Sequence, residues 1–175
     1  MIQRGPRHVT ASFTVLKAAS HAESSLKSND PVDVPVAAAW LGGLGAIPFL
    51  GLALAVPLAH EALRPQLDFA LLSYGAIILS FLGGIRWGLA IVQGSQTSRR
   101  LFRLLGLSVT PSLVAWAALV MPDEFGWMTL AAGFVVMLVV DIWAARSGEA
   151  PSWYPMLRWP LTGAAVASLL LGNLS

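Results

Sequence analysis

Two charges lie inside stretches of sequence that otherwise hold none. Arg86 falls near the end of the run YGAIILSFLGGIRWG (74–88), and Asp141 falls within the apolar stretch 125–145. An ionisable side chain at membrane depth marks a partner, a proton relay or a substrate path. At the bilayer centre it costs about 2.5–3.5 kcal/mol on insertion scales, and less towards the interface. The two segments are expected to run in the same direction. Arg86 lies about 17 residues from the outer start of its segment and Asp141 about 16, so at ~1.5 Å per residue their depths agree within ~2 Å. Three readings follow: a structural Arg86–Asp141 pair, a proton or substrate site, or two charges that snorkel separately to the headgroups. Snorkelling is easy for the long Arg86 and harder for the short Asp141.

Other chemistry finds few residues to work with. The chain has no cysteine, which excludes disulfides, thiolate nucleophiles and cysteine-held metals. His8, His21 and His60 all lie outside the apolar stretches, so no histidine is available to hold a metal or haem within the bilayer. No HExxH, GxSxG, Walker loop or GxGxxG in a strand-to-helix context is present. Asp123 and Glu124 are adjacent, but after Pro122 they read as a solvated helix start. The chain is therefore expected to be no enzyme and to hold no catalytic residue, cofactor or metal.

The elements that would position Arg86 and Asp141 are membrane helices. Of the 175 residues, 56% are hydrophobic and 11% charged, with mean hydropathy +0.69. A soluble domain carries about 25% charged residues, so this surface suits lipid. The fold expected is an all-α membrane protein, a five-span transmembrane helix bundle. Its spans run about 34–59, 69–92, 104–121, 125–145 and 156–174. Residues 1–33 form a polar tail, expected to be disordered. Its Arg4, Arg7, Lys17 and Lys27 among Ser, Thr and Ala have the composition of a targeting segment. No secretory signal core is expected there.

Five spans put the termini on opposite sides. Lys and Arg collect on the side of the tail, of the 93–103 connection and of Arg146 with Arg158, against Arg64 alone on the other. The basic side faces inwards, so the N-terminus is inside and the C-terminus outside. Trp40, Trp87, Trp143, Trp153 and Trp159 then fall near the inner boundary and Trp127 near the outer one, as an aromatic belt.

Within the second span Ala76, Ser80, Gly84 and Gly88 recur every four residues, with Gly83 beside them. On a helix they form a shallow packing ridge, opposite the bulky Ile78, Phe81 and Ile85. Pro48 and Pro111 are expected to kink their helices. Hydroxyls of Ser108, Thr110 and Ser112 can serve the carbonyl that Pro111 frees.

LGGLGAIPF (41–49), YGAIILSFLGGIRWG (74–88), SVTPS (108–112), Asp141 and WYPMLRWPLT (153–162) resemble the transmembrane protein 69 family. The likeness covers about residues 35–165. It implies small multi-span proteins of proteobacterial and mitochondrial inner membranes, with no known activity, and it draws attention to Arg86, Trp87, Asp141, Trp153 and Arg158. The expected location is a bacterial inner membrane, or alternatively the mitochondrial one. The expected partners are the lipid bilayer and a membrane protein or a second copy, with no nucleic acid. The expected role is an accessory or assembly factor acting by helix packing; the alternative is a small transporter or channel that uses Arg86 and Asp141.

Overall fold

A computed structural model describes residues 33–92 and 97–174; the expectations for the tail lie outside the described residues. From Val34 on, the chain forms one compact unit of five helices: α1 (Val36–Leu58), α2 (Arg64–Val92), α3 (Ser98–Val120), α4 (Asp123–Arg146) and α5 (Tyr154–Asn173). No strand occurs among the described residues. Helices α2, α3 and α4 start within polar residues, Arg64, Ser98 and Asp123, ahead of their apolar runs. The helices stop where the chain must reverse: Ala59 and Met121 are extended at the ends of α1 and α3, and Pro122 precedes α4. At the end of α4, Gly148 takes φ +75°, and the amides of Glu149 and Ala150 bond back to the Ala144 carbonyl. Only glycine enters that left-handed region without steric cost.

The helices form a ring in chain order, closed by contact between α1 and α5. Helix α2 touches all four others, whereas α1 meets only α2 and α5. Short connections make consecutive helices antiparallel. The core is a cluster of apolar side chains centred on Phe49, Leu71, Leu79, Leu130, Phe134 and Leu169. Phe49 sits edge-on to Tyr74 and Phe134, with ring centroids 5.0 and 5.8 Å away. Tyr74 Oη donates to the Gly45 carbonyl at 2.8 Å and ties α2 to α1. Outside this core, large apolar side chains stay exposed all round, among them Trp40, Leu54, Phe69, Phe102, Val139 and Leu171. That outer surface is a lipid-facing one.

Four of the five helices, α1 to α4, are long and apolar enough to cross a membrane. Helix α5 does not reach that hydropathy, so length and composition bear out four of the five expected spans. Its 20 residues include Arg158, Trp159, Pro155, Pro160 and Asn173, and these dilute its hydropathy. Helices α1 and α3 run on through Pro48 and Pro111 as continuous helix. The hydroxyls near Pro111 bond to Leu105 and Gly106 carbonyls, from Ser108 at 2.6 Å and Thr110 at 3.4 Å. They do not serve Leu107, the carbonyl four residues before the proline. Trp127 is buried against Gly172 and leaves the expected belt, whereas Trp40, Trp87, Trp143 and Trp159 are exposed.

Candidate functional site

The small-residue ridge of α2 divides in two. Ala76 and Gly83 are buried, and a Cβ on Gly83 would collide with the Ser108 carbonyl of α3 and touch Pro111. This close backbone approach is what a small residue permits in a membrane bundle. Ser80 is half-buried. Gly84 and Gly88 are exposed, with nothing among the described residues near the place a Cβ would take. The ridge as read from sequence therefore packs inside the fold only at Ala76 and Gly83. The inward face is rotated towards Gly75, Leu79 and Leu82, because α2 packs against α3 and α4 at once.

Asp141 pairs with Arg158, not with Arg86. Arg158 Nε donates to Asp141 Oδ2 at 3.0 Å, with the two side chains 6% and 1% exposed. The reason is the hairpin. Asp141 lies five residues before the end of α4 and Arg158 four after the start of α5, so the Gly148 turn sets them level on facing helices. Arg86, on α2, is near enough for its charge to act on Asp141 but forms no ion pair with it. Sequence reasoning missed this partner because it took Arg158 for a charge at the headgroups. The similar distance of the two residues from the facing helix ends, five and four residues, was the available signal.

The pair is only half satisfied. Asp141 Oδ1 and Arg158 Nη2 are buried without a hydrogen-bond partner among the described residues, as is Thr162 Oγ1 one turn further along α5. Arg158 and Tyr154 close the end of an apolar pocket of about 400 Å³ between α1, α2 and α5, walled by Phe49, Phe81 and Leu161. On the other side of α2, a groove of about 410 Å³ lies against α3 and α4. Arg86, Arg100, Arg103 and Glu149 lie at one end of it, and Arg100 Nη2 donates to Glu149 Oε1 at 3.0 Å. Sequence reasoning used Arg100 and Arg103 only as orientation signals. No group of three His, Asp or Glu side chains placed to hold a metal occurs among the described residues.

Comparison with known proteins agrees with these elements. The family described as "Protein of unknown function (DUF3429)" matches residues 34–174. The protein named Transmembrane protein 69 of Xenopus tropicalis is 39% identical over 141 residues, 79% of this chain and 54% of that protein. The mouse protein of the same name is 29% identical over 153 residues, 82% of this chain and 59% of that protein. The chain thus spans a little over half the length of these relatives. No solved structure matches.

Proposed function

The chain belongs to the DUF3429 family, with relatives named Transmembrane protein 69, and we propose that within this family it is an accessory or assembly factor that acts by lateral helix packing. The observation that carries this reading is the outward half of the α2 ridge. A Cβ on Gly84 or Gly88 would meet nothing among the described residues, although small residues in membrane helices let a neighbouring backbone approach closely. A second helix, from a partner protein or another copy, fits there.

The same reading takes α5 as a fifth span, shorter and more polar than the rest. It sits between α1 and α4, and its Arg158 is neutralised by Asp141. The N-terminus is then inside and the C-terminus outside, following the Lys and Arg bias. The membrane is an energy-transducing inner membrane, bacterial or mitochondrial. The transport alternative has less support, because Phe49, Leu79, Leu130 and Phe134 fill the centre of the bundle and the buried charge pair is closed to solvent.

Purification in mild detergent tests the role. A stoichiometric partner that is lost in Gly84→Leu, with the folded chain unaffected, supports lateral packing. A protein that purifies alone and conducts solute in liposomes overturns it.

A further inference from the structure

The groove between α2, α3 and α4 joins two features that membrane ligands require. Its floor and walls are apolar: Leu79, Leu107, Val114, Val136, Met137 and Val140. One end carries Arg86, Arg100 and Arg103 against a single acid, Glu149. These charges come from three different elements, the C-terminal part of α2, the first turns of α3 and the loop after α4, and they converge only in the fold. Arg86 also borders a narrow cleft with Leu104 and Glu149 that opens beside the groove. Glu149 is engaged with Arg100, but it cannot balance three guanidinium groups.

The dimensions match one leaflet. From Arg103 to Val114 the groove follows α3 for eleven residues, about 16 Å at ~1.5 Å per residue. Half of a hydrocarbon core about 30 Å thick is about 15 Å. An occupant with a negative head and an apolar tail of one-leaflet length therefore fits both ends. Basic pockets between membrane helices on the inner side bind anionic headgroups by the same chemistry. Val136, Leu107 and Trp143 are exposed along the mouth, so lipid can enter laterally.

We propose that this groove holds one anionic phospholipid from the leaflet on the basic side. Its phosphate lies among Arg86, Arg100 and Arg103, and an acyl chain follows the wall from Leu107 to Val114. Arginine suits the role because its planar fork makes paired hydrogen bonds to phosphate oxygens. The proposal goes beyond the partner role and does not depend on it.

The test uses the purified full chain in detergent, with thermal unfolding followed as lipid is added. Dioleoyl phosphatidylglycerol should raise the midpoint and saturate, dioleoyl phosphatidylcholine should do so far less, and inorganic phosphate should have no effect. Arg86→Gln and Arg103→Gln should each weaken the apparent phosphatidylglycerol affinity about fivefold. Arg99→Gln, next to the groove but not lining it, should leave the affinity unchanged. Val136→Trp, at an exposed position, should block the groove without lowering the lipid-free midpoint. Arg103→Gln alone suffices if Arg86→Gln does not fold. Equal stabilisation by phosphatidylcholine, or the full effect from phosphate alone, overturns the proposal. So does an Arg99→Gln loss equal to that of Arg103→Gln, or a groove that takes no lipid and is covered by a second copy in a dimer that Val136→Trp abolishes.

Discussion

Arg158 reaches across the α4–α5 hairpin to Asp141, 3.0 Å from Nε to Oδ2, with both side chains closed to solvent. Each residue alone would be an uncompensated charge in an apolar bundle. In soluble proteins, breaking a buried pair on one side costs about 3–5 kcal/mol. In a membrane, snorkelling and local water recover part of that cost. Asp141→Leu and Arg158→Met should therefore each destabilise strongly, and the double variant should recover much of the loss. Thermal unfolding in detergent reads the coupling. Arg86→Met should show clearly weaker coupling to Asp141→Leu, since Arg86 interacts with Asp141 only at a distance. Strict additivity of Asp141 and Arg158 would separate them.

Gly83 and Gly84 are neighbours with opposite surroundings. A Cβ on Gly83 meets the Ser108 carbonyl, which is backbone and cannot turn aside, whereas Gly84 faces open space. Overpacking of this kind costs about 1–3 kcal/mol. Gly83→Ala should lower the unfolding midpoint, and Gly84→Ala should leave it within error. Equal midpoints for the two variants would contradict the α2–α3 approach.

Tyr74 Oη donates to the Gly45 carbonyl, a side-chain hydrogen bond that joins α2 to α1. Hydrogen bonds between membrane helices average about 0.6 kcal/mol, with a maximum of about 1.7. Tyr74→Phe keeps the ring against Phe49 and removes only the hydroxyl. The midpoint should fall slightly, and protease cleavage in the 59–63 connection should rise as α1 loosens. An unchanged cleavage rate would assign the tie to ring packing instead.

The helices were legible because length and hydropathy act locally: a charge-free run such as 34–59 has few alternatives to a membrane helix. The centrality of α2 was legible too, since its small residues announce close neighbours. Which face those neighbours occupy was not. Ala76, Ser80, Gly84 and Gly88 share one face by periodicity, yet only contact with α3 and α4 decides that Gly83 turns inward and Gly84 outward. The charge pair failed for a related reason. Matching depth selects a layer of the bundle, and Arg86 and Arg158 both satisfy it for Asp141. The choice between them depends on helix rotation and on the hairpin at Gly148, which depth does not encode.

The side of the membrane on which Ser175 lies depends on whether α5 crosses. Helix α5 packs into the bundle with Arg158 neutralised, but it is the helix whose composition is least suited to crossing a membrane. If the Asp141 pair offsets the charge, α5 crosses and a reporter fused after Ser175 is non-cytoplasmic. A reporter placed between Gly94 and Ser98, beside Arg99, Arg100 and Arg103, should be cytoplasmic. Asp141→Leu adds a second measurement, because it leaves Arg158 to be carried by α5 alone. An unpaired arginine costs about 2.5–3.5 kcal/mol at the bilayer centre and less towards the interface, where Arg158 lies, but even part of that cost can shift a marginal span. The reporter after Ser175 should then appear partly on the cytoplasmic side, and Asp141→Leu with Arg158→Met should return it outside. If the unaltered chain already places Ser175 in the cytoplasm, α5 does not cross. The five-span topology then fails, while the hairpin and its ion pair can still stand.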